Sequence, residues 1–271
     1  MKDSPTEIAF ATCEGIRTAY RTVGEGPLLF LIHGAEADHT MFLGLSDALS
    51  SSYTVVAYDQ RDSGQTENGS SPYGLDDLAD DAAKLMATVC KLHGVNRGHV
   101  FGTSFGGQIA QVLAARHPAM IDRLVLGSTW RVGRPVVEFN AEVVQTLAGL
   151  RVDPQANAPA IAAYYFSKEY LADHPEAIDI FRGGTKRTEA QQGRRSQMME
   201  AIPPRVDFST VSAPTLLLAG GGDKLVPPHV TFELADYIHG AECTELGVLP
   251  HVSALEVPER VAEAIEPFFE R

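Results

Sequence analysis

The tightest constraint on how this chain can fold is the run Gly102-Thr103-Ser104-Phe105-Gly106-Gly107. It directly follows a strand-like segment, His99-Val100-Phe101, and directly precedes a helix-forming run from Gln108 to Arg116 that His117-Pro118 stops. A strand that turns at once into a helix brings the two backbones close together beside the turn. Only small side chains fit there, and Gly102 and Gly106 stand two residues either side of Ser104. Such a turn lifts the Ser104 hydroxyl above the sheet and sets it at a helix N-terminus, where free N–H groups favour developing negative charge. Outside that setting, Gly-x-Ser-x-Gly would describe only a glycine-rich turn that lets a helix pack closely.

The rest of the chain supplies the setting. Apolar, β-branched runs at Leu28–Ile32, Tyr53–Tyr58, His99–Phe101, Arg123–Leu126, Thr215–Ala219 and Cys243–Leu246 alternate with helical patterns. That alternation predicts βαβ units and a mostly parallel sheet, an α/β fold. Two earlier segments, Glu7–Ala11 and Arg17–Arg21, read as a leading antiparallel hairpin turned at Glu14-Gly15. Leu75, Leu78, Ala82, Leu85, Val89 and Leu92 form one helical stripe ending near Gly94, and Val257 to Phe268 forms a last amphipathic helix. From Arg131 to Pro204 no strand pattern occurs; the text is helical and polar, with prolines at 135, 154, 159 and 175. The division expected is therefore a core of residues 1–130 and 205–271, with 131–204 inserted as a helical lid. Within the lid, Tyr164-Tyr165-Phe166 suits either pocket lining or packing.

Composition narrows the function classes. Formal net charge is −13, with acids and bases intermixed, which repels phosphate backbones and anionic lipid. Nucleic acid and membrane surfaces are not expected partners; a small-molecule substrate is, and a homodimer is compatible with the sequence. The N-terminal stretch carries no signal-peptide pattern, and the early apolar run Pro27–Ile32 is far too short to span a bilayer. Cys13, Cys90 and Cys243 are odd in number and widely spaced, as expected of reduced thiols in a cytoplasmic protein.

A serine hydroxyl needs a base, and the base an orienting acid. Of nine histidines, His117 ends a helix, His99 lies within a strand and His93 sits at a helix C-terminus. His251 instead follows the last strand, in a loop at the carboxyl edge where open α/β sheets bind ligands. His229 is the second choice. Asp223 follows the strand Thr215–Ala219 through Gly220-Gly221-Gly222, so it too stands at a strand's carboxyl end. As a lone residue it would be a turn former. The order Ser104, Asp223, His251 is the chain order of the α/β-hydrolase triad. Donors for an oxyanion are expected from the backbone after His33-Gly34 and after Ser104.

On these features the chain resembles the α/β-hydrolase superfamily over nearly its whole length. The resemblance is carried by His33-Gly34, the loop Asp59-Gln60-Arg61, the turn at Ser104, the Asp223 turn and the His251 loop. It implies an eight-stranded, mostly parallel sheet flanked by helices, with a helical cap after the sixth strand. It implies Ala35 and Phe105 N–H groups as oxyanion donors, a structural His33, and no metal or organic cofactor. The chain departs from the family pattern at three places. Asp62 and Thr66 replace a glycine and a serine of D-x-R-G-x-G-x-S, Pro250 replaces the usual glycine before the histidine, and Met41-Phe42 stand where tryptophan is frequent. Relatives with an aspartate at the turn, the haloalkane dehalogenases and epoxide hydrolases, are excluded by serine at 104. The leading expectation is hydrolysis of a small carboxylic ester or lactone. C–C bond hydrolysis of a diketone, or N-terminal peptide cleavage with Glu138, Glu142, Glu169 or Glu176 holding the ammonium, uses the same triad. A ligand-sensing protein of this fold is the reading from another class.

Overall fold

The apolar runs assemble into one eight-stranded sheet in the order β1-β2-β4-β3-β5-β6-β7-β8. The computed structural model describes residues 7–182 and 187–271. The strands are β1 (Ala9–Cys13), β2 (Ile16–Val23), β3 (Leu28–Ile32), β4 (Thr54–Tyr58), β5 (Gly98–Thr103), β6 (Ile121–Gly127), β7 (Thr215–Ala219) and β8 (Glu242–Glu245). β1 and β2 form the expected hairpin, with Glu14 and Gly15 at positive φ in its turn, and β2 pairs antiparallel with β4. Every later pairing is parallel.

Central strands are buried on both faces, so they read as continuous apolar runs and still sort by alternation. Leu28, Phe30 and Ile32 of β3 point into one core with α2 (Leu75–Leu92) and α3 (Phe105–Arg116). Leu29 and Leu31 point into a second core with α1 (Leu43–Leu49) and α10 (Pro258–Phe269). The α2 stripe is buried from Leu75 to Val89, but Leu92 is 71% exposed. It lies beyond Cys90, the last buried residue of that helix, where the core no longer reaches.

Between β6 and β7 the described residues form helices and no strand. These are α4 (Val136–Leu150), α5 (Pro154–Ala162), α6 (Lys168–Asp173) and α7 (Glu189–Glu200), with a 3-10 turn at Pro175–Phe181. Two short helices follow in the remaining core, α8 (Pro228–Phe232) and α9 (Ser253–Glu256). No helix among the described residues is long and apolar enough to cross a membrane.

One topological point positions the site. β3 lies between β4 and β5, so the chain leaves β3 toward one side and returns to β5 on the other. The carboxyl ends of β3 and β5 therefore open a crevice at the point where strand order reverses, the usual ligand position of an open α/β sheet. His33-Gly34-Ala35 leaves β3 there, and Ser104 leaves β5.

Candidate active site

Ser104 links β5 to α3 with φ 55° and ψ −124°, a conformation L-residues rarely adopt. The backbone is over-determined there. Its N–H donates to Gly127 O at 2.9 Å, and its carbonyl accepts from Gly107 N–H at 2.9 Å and from the Thr129 hydroxyl at 2.7 Å. Room for the turn comes from the two glycines. A Cβ on Gly102 would lie 2.5 Å from Gly106 O, and one on Gly106 would lie 2.1 Å from Ile32 O.

The three residues singled out in the sequence meet. The Ser104 hydroxyl lies 2.9 Å from His251 Nε2, and His251 Nδ1 lies 2.7 Å from Asp223 Oδ2. Asp223 Oδ1 accepts the Leu225 and Val226 N–H groups at 2.8 and 2.9 Å, so the carboxylate is held at both oxygens and its orientation is fixed. With Nδ1–H donating to the carboxylate, Nε2 is left as an acceptor for the serine hydroxyl. Both His251 and Asp223 are buried, and their loops are brought together by the glycine run after β7. Cβ atoms on Gly220 and Gly222 would meet Leu249 O at 2.1 Å and Val248 O at 2.5 Å. His229, the alternative base, is exposed on α8.

The Ala35 N–H has no acceptor among the described residues. Phe105 N–H opens α3 and has none within the helix. Gly34 borders Ser104: a Cβ there would lie 3.6 Å from Ser104 Cβ. His33 is fully buried. Burial, and then the nearby Arg195 charge, pull its pKa from 6.5 down to about 4. The neutral ring accepts Gln60 N–H at Nε2 (3.2 Å), so its proton sits on Nδ1 and is donated to Gly34 O at 2.7 Å. Gly34 O and Ala35 N–H belong to one planar peptide. His33 therefore fixes the direction of the Ala35 N–H.

Tyr165 stands edge-on to the His251 ring at 5.9 Å between centroids, while Phe166 is buried against Tyr170 and Phe181. Tyr165 thus borders the candidate base while also packing on Phe181, and Phe166 lies wholly in packing. Glu138, Glu142, Glu169 and Glu176 are all exposed to solvent, and Glu176 is paired with His174. Asp38, His39 and Asp59 form a cluster with metal-ligand atoms, but its atoms are engaged. Asp59 Oδ1 holds the His39 backbone N–H and Nδ1, each at 2.8 Å, Oδ2 holds Gln65 N–H, and Asp38 caps Thr40. The hydrogen bond to Asp59 raises the His39 pKa.

A model of the alpha/beta hydrolase fold family matches residues 27–161, the part that holds His33-Gly34 and Ser104. A solved enol-lactonase from Burkholderia xenovorans LB400 is 27% identical, with a TM-score of 0.78 over 97% of this chain and 100% of that one. The chain belongs to the α/β-hydrolase superfamily. Among curated relatives of this α/β-hydrolase, the uncharacterized protein Rv2715 of Mycobacterium tuberculosis is 30% identical over 155 residues. That match covers 57% of this chain and 43% of the relative, so the chain spans less than half of that protein. The 2-(acetamidomethylene)succinate hydrolase of Mesorhizobium japonicum is 25% identical over 221 residues, 76% of this chain and 74% of that protein.

Sequence reasoning missed the arginines of the insertion that reach this site, Arg187, Arg194 and Arg195. Arg194 grips Asp62 through two hydrogen bonds, at 2.6 and 3.0 Å. The signal available was Asp62 itself, an acid where the superfamily has glycine. It keeps the glycine-like φ of 54° and adds a carboxylate that the insertion binds.

Proposed function

We propose that this protein is a serine hydrolase that cleaves a small carboxylic ester or lactone through an acyl-serine intermediate. The observation that carries the reading is the continuous hydrogen-bonded chain from Asp223 through His251 to Ser104, with distances of 2.7 and 2.9 Å. In the proposed reaction His251 Nε2 takes the Ser104 proton as Oγ attacks the carbonyl carbon. The carbonyl electron pair moves to oxygen, and the oxyanion is met by the Ala35 and Phe105 N–H groups. The tetrahedral adduct collapses, the C–O bond to the alkoxide breaks, and His251 returns its proton to that oxygen. Water, deprotonated by the same nitrogen, attacks the acyl-serine and releases the acid. Asp223 keeps the ring in the required tautomer and stabilises the imidazolium. The insertion acts as a lid, with Tyr165 beside the base.

The likeness to an enol-lactonase supports an ester-type carbonyl as the substrate class. Cleavage of N-terminal residues is disfavoured, because the four glutamates considered for holding an ammonium are all solvent-exposed. The test is fluorophosphonate labelling followed by peptide mass spectrometry, on wild type and Ser104→Ala. Label on the Ser104 peptide is expected in wild type only; equal labelling of the variant would refute the nucleophile. Turnover of matched esters, lactones, diketones and aminoacyl amides then fixes the bond type.

A further inference from the structure

Three arginines from one stretch of the insertion converge on the loops after β3 and β4. Arg187 donates to Asp62 O at 2.6 Å, Ser63 Oγ at 3.1 Å and Ala35 O at 3.0 Å, and pairs with Glu36. Arg195 lies deepest, at 3% exposure. Its Nη2 donates to Ala35 O at 3.1 Å and Gln60 Oε1 at 3.0 Å, and Nη1 to Arg61 O at 3.4 Å. Its guanidinium carbon sits 5.2 Å from the centroid of the Phe105 ring. One buried side chain thus touches both residues whose N–H groups are proposed to meet the oxyanion.

The surroundings of Arg195 are unusual for a buried cation. Among the described residues no carboxylate lies within ion-pair distance of it, and its Nε has no hydrogen-bond partner. Burial, and then the neighbouring Arg187, lower its affinity for the proton. If only volume were needed here, an apolar side chain would serve without the desolvation cost of a buried charge.

We propose that Arg195 is a positioning residue, which holds the oxyanion site in working geometry through the Ala35 carbonyl and the Phe105 ring. The proposal rests on the reading of Ser104 as nucleophile. Ala35 is flanked by two peptide planes. His33 pins the one that carries its N–H, through Gly34 O. Arg195 and Arg187 pin the other, through Ala35 O. With both planes fixed, the N–H direction is set before substrate arrives, which is what preorganised stabilisation requires. The unneutralised guanidinium behind Phe105 adds attraction for the same negative charge. Because Arg195 is on α7, a competent site exists only while the insertion is seated.

The test compares wild type, Arg195→Lys and Arg195→Met on the p-nitrophenyl ester that wild type turns over fastest. Three quantities are read: kcat and KM, the inhibition constant of a trifluoromethyl ketone that forms a tetrahedral adduct, and that of the product acid. Removing an oxyanion donor outright costs about 10²–10³ in kcat, so loss of its support is expected to cost about 10–10². Ketone affinity should fall by the same factor as kcat for Arg195→Met, while KM and product-acid affinity stay within about threefold. Arg195→Lys, which keeps the charge, should recover part of the loss. If Arg195→Met does not fold by circular dichroism, Arg195→Lys carries the test, with an expected loss of about threefold or more. Ketone affinity and kcat within twofold of wild type in every folded variant would overturn the proposal. So would equal losses in ketone and product-acid binding, which mark a merely structural role. Wild type that remains active yet unlabelled by fluorophosphonate at Ser104 would refute the nucleophile reading instead.

Discussion

Acidification should cost stability at one buried ring in particular, that of His33. The residue is 0% exposed, and its Nε2 accepts the Gln60 N–H while Nδ1–H donates to Gly34 O. Protonating it would set an Nε2–H against the Gln60 N–H, two donors face to face, beside the Arg195 charge. Its pKa is accordingly lowered from 6.5 to about 4 by burial first and Arg195 second. The unfolded chain binds a proton near pH 6.5 that the folded protein does not accept until about pH 4. The stabilisation is therefore complete above the unfolded value and is lost as pH falls toward the folded one. At about 1.4 kcal/mol per tenfold change in proton affinity, the full effect is roughly 3 kcal/mol, most of it gone by pH 4.5. That is a large part of a typical stability of about 5–15 kcal/mol. His39 works in the opposite sense, because its pKa is raised: its contribution is present at low pH and lost as pH rises. Comparing wild type with His33→Asn at each pH cancels that term and the carboxylates. Urea unfolding at pH 7 and 4.5 should show wild type losing roughly 2 kcal/mol more than the variant. Parallel stability curves, or a His33 ring that titrates near 6.5 by NMR, would refute the reasoning.

Two other outcomes follow from the site. Asp223→Asn can still accept the Leu225 and Val226 N–H groups, so its melting temperature should stay within a few degrees of wild type. Its amide would face His251 Nδ1 as a donor and move the ring proton to Nε2, and kcat in the ester assay should fall about 10⁴-fold; more than a tenth of wild-type activity would contradict the assigned role. Arg194→Met leaves the Asp62 carboxylate, 1% exposed, without its cation and should cost about 3 kcal/mol in urea unfolding. Adding Asp62→Gly should restore most of that, since glycine suits a φ of 54°, and the double-mutant cycle checks it.

What could be read in the sequence was whatever the chain encodes locally. Strands buried on both faces appear as unbroken apolar runs, and β3 and β7 match their expected limits residue for residue. The turn at Ser104 was legible because its steric demand falls on residues two positions away, where the glycines stand. Ser104, Asp223 and His251 were legible because each follows a strand, at the same edge of the sheet. By contrast α1, seven residues long, has too few turns to display a periodicity and was not anticipated. The edge strand β8 ends at Glu245, one residue short of the apolar run that marked it.

Two of the departures from the superfamily pattern, Asp62 and Pro250, are matched by a partner far away in sequence. Asp62 looks anomalous beside Arg61 and Ser63, yet its carboxylate is one half of a pair whose other half, Arg194, lies 132 residues on. Pro250 looks anomalous because a glycine is expected before His251. The close approach that a glycine would permit is supplied across the gap, by Gly220 and Gly222 against the carbonyls of Leu249 and Val248. Thr66 keeps the hydroxyl of the serine it replaces, accepting Ala19 N–H and donating to Asp59 O. Thr66 therefore changes nothing that its neighbours detect, whereas Asp62 adds a contact. That contact joins the loop after β4 to α7, the helix whose next residue, Arg195, reaches Ala35. A substitution beside the motif and an arginine pair in the insertion are thus two ends of one latch, and the latch holds the insertion against the loops of the proposed oxyanion site.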